Sequence, residues 1–141
     1  MPFTVESHFP DPTMYRISGN AHVHEGGSNT PPTTILHAGE PAVVHFNWRQ
    51  AGWLCNLLTG HWHCNVYFEK FGPNEGRAFP TKMERVVSAP ANYNASIDIS
   101  GLTPGVYKCI TTLILYSDGA HTTPVHAFDE IGVIQVVARS V

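Results

Sequence analysis

Histidine is the residue type in this chain best suited to chemistry: nine of the 141 residues are histidines, and neutral imidazole binds Zn²⁺ and Cu²⁺. His61 and His63 stand two positions apart, a spacing that puts both rings on one face of a strand. His121 and His126 follow a later strand-like run. We take these four residues as candidate ligands of a Zn²⁺ or Cu²⁺ ion, and no other cofactor is indicated. The alternative is that they are hydrogen-bonding residues on an uncharged surface.

Motifs for hydrolysis or electron transfer are missing from the sequence. There is no G-x-S-x-G elbow and no H-E-x-x-H motif, and the adjacent Asp129 and Glu130 would point to opposite sides of an extended chain. A blue-copper site is disfavoured because twelve residues separate Cys109 from His121 and no Met follows nearby. We therefore expect no enzymatic activity. An enzyme would need a concave pocket around the candidate histidines with an open coordination position.

Three cysteines form an odd set without a C-x-x-C motif, so at most one internal disulfide can form. Cys64 and Cys109 each fall in the apolar row of a predicted strand, and we expect both to be buried thiols. Cys55 lies in the loop-like stretch GWLCNLLTG. It is the cysteine expected to react, or to pair in an oxidising compartment.

Alternating side chains indicate a chain built almost entirely of strands. Apolar Ala95, Ile97 and Ile99 alternate with polar residues. The turn residues Thr103-Pro104-Gly105 then precede a β-rich run over 106–116. No stretch has the 3.6-residue period of a helix, and no repeat recurs. Further strands are predicted over 42–48, 61–70, 85–88, 92–100 and 131–138. We therefore predict an all-β, antiparallel sandwich of about seven strands.

The first 34 residues differ from the remainder because prolines and a Gly-Gly-Ser-Asn run interrupt them. We predict an N-terminal arm or edge strand with a Gly/Pro-rich loop over residues 1–34. The sandwich domain is then expected over residues 35–141. His22 and His24 fall in the arm and are expected to lie in a solvated loop.

Two features give the chain a family resemblance. Trp62 stands in the third strand position, and Tyr107-Lys108-Cys109 follows the Pro-Gly turn directly. A core Trp and a corner tyrosine two residues before a cysteine resemble an immunoglobulin-type sandwich over roughly residues 34–139. Phe46 occupies the strand in which antibody domains carry their first cysteine. The chain is therefore more similar to disulfide-free relatives such as fibronectin type III modules.

This resemblance also implies where the candidate metal ligands would meet. In an immunoglobulin-like topology the loop before the third strand and the loop before the last strand share one end of the sandwich. That end would bring His121 and His126 close to His61 and His63. The fold itself hosts many unrelated functions, so the resemblance implies no particular activity.

Composition excludes two classes of partner. Charged residues make up 13% of the chain and the net charge is −3, with no basic stripe for a nucleic-acid backbone. No run of 18 apolar residues indicates a membrane span, and the amino terminus shows no secretory signal. We expect a cytoplasmic protein by default, although export by a route other than the general secretory pathway would fit the same sequence.

Apolar side chains are predicted on the outside of the sandwich. If Tyr107 and Cys109 face the core, Ile110, Ile114 and Tyr116 face outward on the same strand. Tyr67 has the outward parity of its own strand, and Val133 belongs to a last strand that carries aliphatic residues on both faces. A half-solvated antiparallel strand normally alternates cleanly, so we expect something to cover this surface.

We therefore predict a non-enzymatic structural or interaction module. It would self-associate through the apolar sheet face, through the N-terminal arm, or through both, forming a homo-oligomer or filament. Recognition of another protein is a second form of the same prediction. The alternative is a metal-binding β-sandwich, and an enzyme with an unrecognised site is the third choice. Coverage of the face by the chain's own arm would remove the need for a partner.

Overall fold

The computed structural model describes residues 3–6, 13–26, 31–72, 76–117 and 122–138. Within these ranges the chain forms ten β-strands and one 3₁₀ helix, Trp53–Leu57, with no α-helix. In chain order the strands are β1 (Thr4–Glu6), β2 (Arg16–Glu25), β3 (Ile35–His37), β4 (Ala42–Ala51), β5 (His61–Lys70), β6 (Arg77–Ala78), β7 (Lys82–Arg85), β8 (Ala91–Asp98), β9 (Gly105–Tyr116) and β10 (Thr122–Val137).

The strands form two sheets, which confirms the prediction of an all-β sandwich. The larger sheet runs β1–β10–β9–β5–β6, with β3 added on β10 and β7 on β5. The smaller sheet has the order β2–β4–β8. Pairing is antiparallel except between β3 and β10, which are parallel. Because β9 lies between β5 and β10, the outward side chains of these three long strands share one surface.

The core lies between the sheets and is built by strict alternation. In β9 every second residue from Tyr107 to Leu115 is buried, and the residues between them are half-buried. Three aromatic rings join the sheets at one end. Trp48 of β4 stacks on Tyr93 of β8 with ring centroids 5.3 Å apart, and Trp62 of β5 meets Trp48 edge-on at 6.0 Å. Such aromatic pairs stabilise a core beyond the area that they bury.

β7 ends at Arg85 and the segment after it is a loop, so the strand predicted over 85–88 is wrong in all but its first residue. Gln50 is fully buried on β4, and its Nε2 donates hydrogen bonds to the backbone oxygens of Val87 and Ala89 at 2.9 and 2.8 Å. The hydroxyl of Tyr93 accepts a hydrogen bond from the Val87 backbone N–H at 2.9 Å. These side chains supply the hydrogen bonds that a neighbouring strand would otherwise give to this backbone.

The N-terminal 34 residues contribute to both sheets. β1 pairs with the edge of β10, and β2 forms the edge of the smaller sheet. Ile17, Ala21 and Val23 of β2 lie in the core. His22 and His24 therefore lie in a paired strand, and the expectation of a solvated loop at these residues is wrong. The last strand also begins earlier than predicted, at Thr122.

Candidate functional site

The outward side of β5, β9 and β10 forms the surface on which the predicted interface residues lie. In register, Tyr67 is opposite Ile110, His63 is opposite Ile114, and His61 is opposite Tyr116. On the other side of β9, Lys108 is opposite Val133 and Thr112 is opposite Phe128. Directly paired residues on adjacent strands point to the same face. We call this surface the outer face and define its apolar residues as Tyr67, Val106, Ile110, Ile114, Tyr116, Phe128 and Val133.

Apolar side chains of the outer face reach solvent. Val133 is 55% exposed and Phe128 and Tyr67 are each 40% exposed, whereas Ile110, Ile114 and Tyr116 are half-buried. Neither N-terminal strand covers this face. β1 extends the larger sheet beside β10, and β2 belongs to the other sheet. The predicted interface residues thus lie on one sheet face of the isolated chain.

The charges on the outer face include a close ion pair. Nζ of Lys108 lies 3.1 Å from Oε1 of Glu130, and both side chains are more than a third exposed. Glu130 is the register partner of Ile110, so the pair lies among the apolar residues. An exposed ion pair of this kind contributes little to the stability of the monomer, about 0–1 kcal/mol. The two charges cancel, so the pair adds no net charge to the face.

The four histidines predicted as metal ligands are placed differently from one another. His61 and His63 share the outward side of β5, as the two-residue spacing predicted. The ring of His63 stacks on Tyr116, with centroids 3.9 Å apart and an interplanar angle of 29°. Burial, followed by the neighbouring His61, lowers the pKa of His63. A stacked, neutral ring is a stable arrangement without any metal.

Strand order keeps this pair away from the backbone of His126. Ile114 is the register partner of both His63 and His126, so one full strand separates the two histidines. Two strand spacings amount to about 10 Å between their backbones. His121 lies outside the described residues. Within the described parts of the chain, no group of three or more His, Cys, Asp or Glu residues converges well enough to hold a metal ion.

A different group of histidines occupies the outward side of the smaller sheet. His22 and His24 lie on β2, and His45 of β4 is the register partner of His22. Ring centroids are 6.4 Å apart for His22 and His24 and 6.2 Å apart for His24 and His45. The sequence does not predict this group, because a solvated loop is expected at His22 and His24. Their two-residue spacing, which matches that of His61 and His63, was the signal that could have revealed it.

A groove opens between the edge of β2 and the edge of β10. The segment over 31–34 crosses it, with a hydrogen bond from the Thr33 backbone N–H to the oxygen of Val23 at 2.9 Å. The groove has a volume of about 410 Å³. Its lining residues are His22, Val23, Pro32, Thr33, Thr34 and Ile131. The groove therefore adjoins the histidine group of the smaller sheet.

All three cysteines are buried free thiols. This confirms the expectation for Cys64 and Cys109, whose pKa values burial raises to about 12. Cys55 is also fully buried, because the 3₁₀ helix turns its side chain into the core. The expectation that Cys55 is the accessible, reactive thiol is therefore wrong.

Burial also raises the pKa of Asp129, which faces inward while its neighbour Glu130 is exposed.

Comparisons with known proteins show the fold and no more. No protein-family model matches the sequence, and no curated protein matches it. Among solved structures, a β-glucosidase from Listeria innocua in complex with gluconolactone matches with a TM-score of 0.51 at 10% sequence identity. The same enzyme in complex with glucose matches with a TM-score of 0.52 at 8% identity. In both, the match covers 87% of this chain and 17% of the glucosidase chain. The described residues contain no helix long and apolar enough to cross a membrane.

Proposed function

We propose that this chain is a non-enzymatic β-sandwich module that associates with a second copy of itself through the outer face. The observation that carries the proposal is the exposure of Val133, Phe128 and Tyr67 on one continuous sheet surface. Apolar patches rimmed by polar residues mark interaction sites on soluble proteins. Full burial of a Val or Phe side chain stabilises by roughly 1.5–3 kcal/mol, and the burial of several such residues has to offset the freedom that two copies lose on association.

The charge pattern favours a second copy over a different protein. Lys108 and Glu130 lie side by side among the apolar residues of the outer face. A two-fold axis that passes beside this pair would place the Lys108 of each copy near the Glu130 of the other, because the same patch meets itself across such an axis. The face is thus complementary to itself in charge and in apolar character. The low charged fraction of 13% also weakens repulsion between copies.

The sandwich is, in this proposal, of the immunoglobulin or fibronectin type III kind. Three observations support it. Trp62 is fully buried on β5 against Trp48 and Tyr93, and Tyr107 bonds back to the backbone four residues upstream. The division into β5, β9 and β10 on one side and β2, β4 and β8 on the other follows the usual strand partition of such modules.

A single charged substitution in the outer face tests the proposal. We expect the wild-type chain to sediment as a dimer or larger species at about 100 μM, and Val133→Glu to sediment as a monomer, because it buries an unpaired charge in the interface. Leu57→Glu is the matched control, since Leu57 is 70% exposed on the 3₁₀ helix, away from the outer face. A wild-type chain that stays monomeric, or equal effects of the two substitutions, would refute association through this face.

A further inference from the structure

We propose that the free edge of β8, the side of the strand that faces away from β4, pairs antiparallel with the β8 of a second copy. The contact joins the smaller sheets of the two copies into one continuous sheet. It is separate from the outer face, because β8 belongs to the smaller sheet. Two self-complementary contacts on one chain allow outer-face dimers to be linked to one another in larger assemblies.

The edge of β8 is long and regular. All eight residues of Ala91–Asp98 have a register partner on β4, and no bulge interrupts the register. The strand contains no proline and no lysine, the residues by which natural edge strands avoid pairing with other chains. Its one charged residue, Asp98, stands at its end. An edge strand of this kind offers its unpaired backbone groups to a further strand.

The other sheet edges of the described residues are covered or short. At the edge of β2, the backbone N–H of Phe3 donates to the oxygen of Gly19 at 2.8 Å, and that of Thr33 donates to the oxygen of Val23 at 2.9 Å. The larger sheet is bordered by β1 and β3 on one side and by β6 and β7 on the other, all of two to four residues. Within the described ranges, β8 is therefore the longest outermost strand without such cover.

The backbone groups that point to the free edge belong to every second residue of β8. The backbone N–H of Ile99, directly after the strand, donates to the oxygen of Ala42 on the β4 side at 3.0 Å. The direction of these groups alternates along an antiparallel strand. The groups that point away from β4 are therefore those of Asn92, Asn94, Ser96 and Asp98. In the described part of the chain, no residue forms a backbone hydrogen bond with these four groups.

The space beside the end of β8 is open. A cleft of about 250 Å³ separates the last residues of the strand from the segment that leads into β7. Its lining residues are Pro80, Thr81, Lys82, Ser96, Ile97 and Asp98. The middle of the strand carries Asn94, Ala95 and Ser96, whose short side chains let another backbone approach. The chain's own segment therefore stands clear of the edge where a second strand would lie.

One register suits both the backbone and the side chains. With a two-fold axis through Ala95, Asn94 lies opposite Ser96 of the second copy and Asn92 lies opposite its Asp98. These are the residues whose backbone groups point outward, so the two strands form about eight main-chain hydrogen bonds. On the exposed side, the amide of Asn92 donates to the carboxylate of Asp98. A shift by one residue would place the polar row opposite the buried row, so this register is favoured.

Nuclear magnetic resonance of the full chain carrying Val133→Glu tests the contact. That substitution removes the outer face from the measurement, so failure of outer-face association leaves the result unaffected. Each new main-chain hydrogen bond replaces one to water, so we expect a modest Kd of about 1 mM, which leaves this variant largely monomeric at about 100 μM. Between about 0.1 and 2 mM, the amide signals of Asn92–Asp98 should shift and those of the outer face should not.

A charge at the centre of the edge should weaken the pairing. We expect Asn94→Lys, added to Val133→Glu, to weaken it at least about 10-fold, because a lysine on an edge strand opposes the approach of another strand. Asn47→Lys is the matched control. Asn47 is also exposed and is the register partner of Asn94 on the central strand β4, so the same charge is added away from the edge. It should leave the pairing unchanged.

The register has its own test. Asn92→Asp sets two carboxylates opposite each other and should weaken the pairing about 10-fold, whereas Asn92→Asp/Asp98→Asn exchanges the two residues and should restore it. Equal weakening by Asn94→Lys and Asn47→Lys, or no recovery in the exchanged variant, would overturn the proposal. Signals of β8 that stay fixed up to about 2 mM would leave the edge to an extended segment of a different protein and would equally overturn it.

Discussion

The hydroxyl of Tyr107 donates a hydrogen bond to the backbone oxygen of Thr103 at 2.7 Å, across the turn that leads into β9. Tyr107 is 3% exposed, and its hydroxyl oxygen also lies 3.0 Å from the hydroxyl oxygen of Thr103. Pro104 and Gly105 form the turn at which β9 begins. The hydrogen bond from Tyr107 to Thr103 holds the first residues of the strand against that turn. Tyr107 is the corner tyrosine on which the immunoglobulin-like resemblance depends, and this hydrogen bond is the contact that it makes.

We expect Tyr107→Phe to lower the free energy of unfolding by about 1–1.5 kcal/mol, because it removes the hydrogen bonds of this hydroxyl to the backbone oxygen and the hydroxyl of Thr103 and retains the ring. Urea unfolding at a fixed protein concentration measures the change. Tyr67→Phe is the control, since Tyr67 is 40% exposed and should change stability by less than about 0.5 kcal/mol. Because Tyr67 lies on the outer face, both variants are compared at a protein concentration at which the chain is monomeric. If the two variants are equally stable, the corner hydrogen bond contributes nothing and one support for the resemblance is lost.

Sequence reasoning worked where the alternation was unbroken. The strand predicted over 61–70 coincides with β5, and the strands over 92–100 and 106–116 differ from β8 and β9 by one or two residues at their ends. These segments have one face in the core and one outside, and this difference is what produces a period of two. For the same reason Cys64 and Cys109 were correctly assigned to the core.

The sequence-based predictions failed for one physical reason: in β2, in β7 and around Cys55, the order of apolar and polar residues does not indicate which side chains are buried. β2 contains Gly19 and mostly polar residues, because its outward side carries Asn20 and the two histidines. β7 is an exposed edge strand with no buried residue, so no alternation marks it. Cys55 lies in a stretch that resembles a loop, and only the 3₁₀ turn places its side chain inward. The histidine group of the smaller sheet was missed for the first of these reasons.

The two buried thiols of Cys64 and Cys109 predict a loss of stability in alkali. Burial is the largest cause of the rise in both pKa values to about 12, compared with about 8.5 in an unfolded chain. Since the folded pKa is raised, the stabilisation is fully present below the unfolded pKa and is lost as pH rises towards the folded one. Between about pH 9 and 12 the free energy of unfolding should fall by up to roughly 1.4 kcal/mol per pH unit for each thiol.

Urea unfolding in reducing buffer at several pH values checks this slope. Cys64→Ala/Cys109→Ala should be less stable at pH 7 but should show a flatter decline above pH 9, because both titrating groups are gone. Burial also raises the pKa values of Tyr15 and Cys55, but both residues are unchanged in the variant, so the difference in slope isolates Cys64 and Cys109. Equal slopes in the two proteins would contradict protonated core thiols.

Charge reversal at Lys108 and Glu130 separates self-association from folding. Lys108→Glu or Glu130→Lys alone should disrupt association, since each leaves like charges facing each other across a two-fold interface. Lys108→Glu/Glu130→Lys restores the ion pair with its sign exchanged, and it should recover most of the affinity. Stability of the monomer should change by less than about 1 kcal/mol in all three variants, because both side chains are more than a third exposed.

Sedimentation across a range of protein concentrations provides the measurement, and Arg49→Glu provides the control. Arg49 is exposed on the outward side of the smaller sheet, so its reversal changes net charge equally without touching the outer face. We expect Arg49→Glu to associate as the wild type does. Association that responds to net charge alone would be weakened equally by Arg49→Glu and Lys108→Glu and would not be rescued in the double variant. Only a specific contact between outer faces predicts that association is lost in each single reversal and is recovered when the two reversals are combined.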